Sequence, residues 1–171
     1  MKRHEHLQPL SRQHHVALVL ARRLREWQAA DPTTEDKRHV AGAVHRFWEA
    51  ELRPHFRAEE EELLGRWSRP GTDALATRVV QEHIGIHRIG QRLVSALTAG
   101  DPEAAWDEAR RLGDCVHAHV RFEERHWLPA LEAEFGEREL AEAQAAVDGF
   151  LEAGLAESLL PPRPGDRPAE D

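Results

Sequence analysis

This 171-residue sequence predicts an all-α fold: an antiparallel up-down-up-down four-helix bundle with an extra C-terminal helix. Three observations carry that expectation. Ala, Leu, Glu and Arg dominate the composition, and these are strong helix formers. Tyr is absent and Phe is sparse, which removes much of the aromatic content that strands favour. Four long stretches repeat apolar residues at spacings of three and four, with short turn signals between them.

The first helix is expected from about Leu10 to Gln28, ended by Asp31-Pro32. Its apolar stripe is Leu10, Ala17, Leu18, Ala21 and Leu24. His14 shares that stripe, whereas His15 is turned by about 100° toward the wetter side. Thr33 and Thr34, followed by Glu35 and Asp36, start the second helix, with acids where the helix dipole favours them. It runs to about Trp67, with Val44, Trp48, Leu52, His55, Glu59 and Leu63 on one face. Pro54 removes an amide and is expected to bend the axis just before His55.

Ser68 to Asp73 reads as a break. The third helix spans roughly Ala74 to Ala99, with His83 and His87 on a stripe containing Ala76, Val80, Gly90, Val94 and Leu97. Gly85 and Gly90 are poor helix formers and leave room for a close neighbour. Gly100-Asp101-Pro102 is a stop followed by a start. The fourth helix, about Glu103 to Phe135, faces inward with Ala105, Leu112, Val116, His119 and Glu123. The domain reading is therefore a bundle over 1–136, an amphipathic helix over 137–158 packed on it through Leu140, Val147, Phe150 and Leu151, and a disordered tail over 159–171.

A chain of this length forms one domain with a real core, and 40% hydrophobic with 32% charged residues is ordinary for a soluble protein. The net charge of −8, with arginines scattered among glutamates, argues against nucleic acid. One cysteine, Cys115, excludes an intrachain disulfide and a Cys-rich zinc site, and it reads as a buried inert thiol. The N-terminus lacks the apolar run of a signal peptide, and no run of ~18 apolar residues spans a membrane, so the expected compartment is the cytoplasm. Twelve histidines are the compositional outlier.

In the bundle, the inner stripes bring together His14, His55 with Glu59, His83 and His87, and His119 with Glu123 or Glu124. A lone inward histidine is commonly a hydrogen-bonded core residue, and Glu59 to Glu62 alone reads as a solvated face. Seven such groups in one layer need partners, however, and each left unsatisfied costs about 1–3 kcal/mol. Metal ions satisfy all of them together. Seven ligands exceed a closed zinc site, and imidazole with carboxylate suits first-row metals, iron among them. Two ions sharing two carboxylates use the donors and leave positions open for a small ligand. His83 is followed by Ile84, so the His-x-x-x-His lacks the general base of a zinc protease. Glu123-x-x-His126 is the sole Glu-x-x-His, where carboxylate-rich ferritin-like sites use two.

Gln13-His14, His55-Phe56-x-x-Glu59-Glu60, Glu82-His83-x-x-x-His87 and His119-x-x-x-Glu123-Glu124 resemble, in order and helix placement, the pattern of the hemerythrin family in its bacterial HHE cation-binding branch. The resemblance covers about residues 10 to 131. It implies a non-haem centre of two iron ions, carboxylate- and oxo- or hydroxo-bridged, that handles O2 or a related small ligand such as peroxide or NO. By matching position, His83, His87 and His119 would ligate one iron and His14 and His55 the other. Glu59 and a fourth-helix carboxylate would bridge them, and the second iron would keep the open position. Oxygen-carrying members place an Asp five residues after the last-helix histidine, whereas this chain has Glu at both four and five. Helical geometry favours Glu123, because five residues turn about 140° away; Glu124 is the alternative. The implied roles are sensing, scavenging or storage, with iron-centre repair or iron supply as an alternative and a metal-stabilised interaction module as a third. No catalytic acid or base stands out beyond the ligands, so a binding protein is expected rather than an enzyme.

Overall fold

The computed structural model describes residues 3–64, 73–148 and 158–166, and all regular elements among them are helical. A 3-10 turn at Glu5–Leu7 leads into α1 (Gln8–Ala29), which begins with Pro9 in its first turn, where its missing amide costs nothing. Thr33 and Asp36 cap α2 (Thr34–Phe47) reciprocally: Thr33 Oγ1 accepts from the Asp36 amide at 3.2 Å, and Asp36 Oδ2 accepts from the Thr33 amide at 3.0 Å. The same rod continues as a π-helical segment (Trp48–Leu52), α3 (Arg53–Ala58) and a second π-helical segment (Glu59–Leu64). The third rod is α4 (Asp73–Thr98). Gly100 at φ 70° turns the chain, and the Asp101 side chain accepts from the Ala104 amide at 3.0 Å to start α5 (Pro102–Phe122). That rod passes through a π-helical segment (Glu123–Trp127) into α6 (Leu128–Glu134), and α7 (Glu137–Asp148) follows. The expected break at 68–73 lies almost wholly outside the described residues, as do Phe150 and Leu151. No helix among the described residues is long and apolar enough to cross a membrane.

Sequence accounts for two of the three π-helical segments. Pro54 and Pro129 each follow the end of one by two residues. A proline cannot donate to the carbonyl four residues back and clashes with it, and widening the preceding turn relieves that conflict. The bend expected at Pro54 is thus spread into a wide turn ahead of it. The buried stripes show the same extra length. Val44, Trp48, Leu52, His55, Glu59 and Leu63 in one rod, and Leu112, Val116, His119, Glu123, Trp127 and Leu131 in the other, are all buried. Each covers five turns in nineteen residue steps, where a straight α-helix takes about 18.

The third rod is rotated from the expected stripe. Val79, His83, Ile86 and Leu93 are buried, while Val80 is 36% exposed. Gly90 does receive a neighbour: a Cβ there would fall inside the Trp48 indole, whereas Gly85 meets nothing within 4 Å. Gly90→Ala must therefore displace a buried ring, and a loss of about 1–3 kcal/mol is expected in denaturant unfolding. Gly85→Ala should instead be neutral or slightly stabilising.

Two apolar clusters fill the interior. One holds Leu20, Leu24, Phe47, Trp48, Leu93, Leu112 and Val116. The other holds Leu10, Leu63, Val79, Trp127 and Leu131, with Leu140, Ala143 and Val147 of α7 docked on it. Between them, at one level in all four rods, lie His14, His55, Glu59, His83, His119 and Glu123. Part of the segment expected as a disordered tail is packed at the far end. Leu160 joins the first cluster, and the Trp27 Nε1 donates to the Pro162 carbonyl at 2.7 Å. The reason is local composition, since Leu159-Leu160-Pro161 is an apolar patch within an otherwise polar segment.

Candidate metal centre

Each rod contributes to the layer from a fixed register. α1 supplies His14, α3 supplies His55, and Glu59 opens the π-helical segment after it. α4 supplies His83, α5 supplies His119, and Glu123 likewise opens a π-helical segment. Six side chains resolve into two overlapping groups, His14/His55/Glu59/Glu123 and His83/His119/Glu59/Glu123, so both carboxylates belong to both. His14 Nε2 is 3.2 Å from His55 Nε2, and His83 Nε2 is 3.1 Å from His119 Nε2. Glu59 Oε1 lies 3.2 Å from His55 and 3.6 Å from His14, and its Oε2 lies 3.2 Å from His83. Glu123 Oε2 lies 3.2 Å from His14 and 3.3 Å from His119.

Every Nε2 points inward because every Nδ1 is held from outside. His14 Nδ1 donates to Glu124 Oε1 at 2.7 Å and His55 Nδ1 to Gln13 Oε1 at 2.6 Å. His83 Nδ1 donates to Glu60 Oε1 at 2.8 Å and His119 Nδ1 to Glu82 Oε2 at 2.9 Å. An ionised carboxylate only accepts, so the Nδ1 protons are fixed and the Nε2 lone pairs face one another and the two inner acids. Neutral imidazoles so arranged oppose lone pair to lone pair. Consistent with this, both oxygens of Glu59 and of Glu123 are buried without a hydrogen-bond partner.

Only cations resolve that arrangement. Metal bonds of ~2.1 Å put neighbouring donor atoms ~3.0 Å apart at octahedral and ~3.4 Å apart at tetrahedral angles. The 3.1–3.6 Å separations here match such polyhedra. Orphaned carboxylate oxygens, aimed lone pairs and outer hydrogen bonds on each imidazole together fit a pair of first-row metal ions.

Without metal, protons take the cationic role. Burial pulls the His14 imidazole down, but the acids Glu123, Glu124 and Glu59 outweigh it and hold it well above its usual range. Burial likewise opposes His83, yet Glu59 and Glu60 lift it to about 9. Glu59 lies well below the usual carboxylate range, because its histidine neighbours overcome its burial. Glu124, partly buried, is held at about 2 by His14, Arg3 and Ser11. His83 is thus raised in the folded state above an unfolded value of ~6.5. Its contribution to metal-free stability is fully present below ~6.5 and is lost as pH rises through about 9. The melting temperature of metal-free protein should fall between pH 6.5 and 9 relative to the metal-loaded form. Parallel curves for the two forms would contradict it.

Of the seven metal ligands expected, the structure brings six together and leaves His87 apart. Its ring is half-buried against Trp48, with centroids 6.2 Å apart, and against Phe56, at 5.6 Å. The rotation of α4 puts Ile86 inward and His87 on the shoulder of the helix, and burial pushes its imidazole down. His14 is buried and His15 exposed. Glu123 is fully buried in both groups, whereas Glu124 reaches round to the outer face of His14. Cys115, expected to be buried, is exposed. Gln13, Glu60, Glu82 and Glu124 had no assigned role as holders of imidazoles. Their signal was adjacency, since each neighbours a candidate ligand in sequence.

No curated protein and no solved structure matches the chain. The sequence pattern of the Hemerythrin HHE cation binding domain matches residues 6–131. That match runs from the first turn of the N-terminal helix to the last turns of the fourth rod and contains every residue of the histidine–glutamate layer; the chain belongs to the hemerythrin HHE cation-binding family.

Proposed function

We propose that this chain is a non-haem di-iron protein that binds O2 or a related small ligand, NO or peroxide, in sensing, scavenging or storage. The observation that carries the reading is the set of four buried carboxylate oxygens without hydrogen-bond partners, faced by four inward Nε2 atoms. In this reading His14 and His55 hold one iron, His83 and His119 the other, and Glu59 and Glu123 span both. His87 joins the second set only by moving, since its ring lies against Trp48 and Phe56. Iron in this layer would supply reversible redox chemistry and open coordination positions for a diatomic ligand.

The protein's own part is positioning and exclusion of water. Phe56 stacks on His83 with centroids 4.2 Å apart and meets His119 edge-on at 5.4 Å, closing that side. A partly open cavity of about 20 Å³ is lined by Gln13, Val16, Ala17, Phe56 and His55 among others, and it reaches the His55 ring. It leaves water-sized space beside the His55 ring.

Metal analysis with absorption spectra of the anaerobically reduced protein, before and after O2 and after NO, tests the reading. Two irons per chain and a band that appears with O2 and reverses on its removal are expected. Protein purified without iron, or iron retained after both His83 and His119 are changed to Ala, would sink it. Iron that passes to an apo iron–sulfur protein without binding O2 or NO would favour iron supply instead.

A further inference from the structure

We infer that the two halves of the layer are unequal and that Gln13 sets the difference: a divalent first-row metal is held more tightly by His83 and His119 than by His14 and His55. The inference rests on the two-metal reading above and concerns what that reading leaves undetermined.

With His87 held against Trp48 and Phe56, each half has two imidazoles and the same two shared carboxylates, so the inner ligands as placed create no difference. The outer partners obey a pseudo-twofold relation. The residue before each first histidine, Gln13 or Glu82, holds the histidine of the next rod, His55 or His119. The residue after each inner acid, Glu60 or Glu124, holds the histidine of α4 or α1. The relation is broken at one place. His83 and His119 both donate to carboxylates, whereas His55 donates to the neutral amide oxygen of Gln13.

An ionised acceptor on Nδ1 pushes electron density through the ring and makes Nε2 a stronger donor, and losing such a partner typically weakens metal binding by about 10–100-fold. Arginines do not offset the imbalance, since each half carries one: Arg3 pairs with Glu124 at 2.8 Å and Arg78 with Glu82 at 2.7 Å. Ser11 further draws on Glu124, donating to Oε1 at 2.7 Å, on the side already weaker. Gln13 also lines the small cavity that reaches His55, so the more loosely held metal lies beside that cavity.

Proteins with one half intact measure the difference. His55→Ala leaves the His83/His119 half, and His119→Ala leaves the His14/His55 half. Each is titrated anaerobically with Co(II) against a competing chelator, read by visible absorption. The His55→Ala protein is expected to bind Co(II) about 10–100-fold more tightly. Adding Gln13→Glu to His119→Ala should close the gap. Adding Gln13→Leu should widen it, and adding Glu82→Gln to His55→Ala should lower the stronger half. Equal or reversed affinities, or no response to Gln13→Glu in protein of unchanged helical content, would overturn the inference. If a single half does not hold Co(II), stepwise constants of the wild type and Gln13→Glu decide, and an unchanged gap between them overturns it. A wild-type chain that takes up no metal fails the two-metal reading itself, which is a different result from two equal sites.

Discussion

Changing Glu59 and Glu123 together to Gln is expected to abolish metal binding and to leave a protein that melts at one temperature with or without iron. Both acids belong to both groups of the buried layer, so neither group survives their loss. In the wild type, a metal present at 100 times its dissociation constant stabilises the folded chain by about 2.7 kcal/mol per independent site. For a domain of this size each kcal/mol moves the melting temperature by ~2–4 °C. A gain of roughly 5–10 °C per bound metal is therefore expected in the wild type and none in the double variant. The same change removes inner acids that help hold the metal-free His14 and His83 imidazoles protonated, so the dependence of stability on pH up to about 9 should flatten as well. Differential scanning calorimetry with iron and with a chelator reads both effects. A double variant that still gains stability from iron would place the metal elsewhere.

Phe56→Ala should be among the most damaging changes to folding that remove no ligand. The side chain is 1% exposed and touches His83, His87 and His119 at once. Truncating a buried aromatic costs about 3–5 kcal/mol from lost transfer energy and the space left behind. That loss should appear as a lower denaturant midpoint at unchanged slope. Phe56→Leu keeps most of the volume and should cost less. Removing the ring also frees the space beside His87, so Phe56→Ala loaded with Co(II) should show a changed visible spectrum where Phe56→Leu does not. Identical spectra would mean that Phe56 does not keep His87 out.

Local signals were legible wherever a single residue type does one physical job. The Thr33/Asp36 cap, the Gly100-Asp101-Pro102 turn and the choice of His14 over His15 follow from side-chain chemistry and a 100° rotation per residue. The choice of Glu123 over Glu124 for the inner position followed from the same geometry. What escaped depends on departures from an ideal helix or on tertiary contact. The stripe assigned to α4 assumed that Val80 faces inward. Packing of Trp48 into the Gly90 notch instead sets the rotation of that helix, and the fate of His87 goes with it. The π-helical turns were visible only as a slow drift, five turns spread over nineteen residues, which no single residue announces. The outer partners were adjacent to the ligands, but which imidazole each one holds is decided across rods.

That drift has a consequence for the chain's history and for its engineering. Each of the two rods carrying an inner acid is about one residue longer than the path it follows. Excising one residue from Glu123–Trp127 would let that stretch relax into ordinary α-helix, five turns in about eighteen steps, and the part beyond would keep its facing. Trp127 and Leu131 would then stay interior, in line with His119. Where no wide turn holds a spare residue, as in α1, the same deletion would turn everything beyond it by about 100°. Length along these rods works as a clutch, letting the end that grips the metal and the end that grips the rest of the fold be set independently.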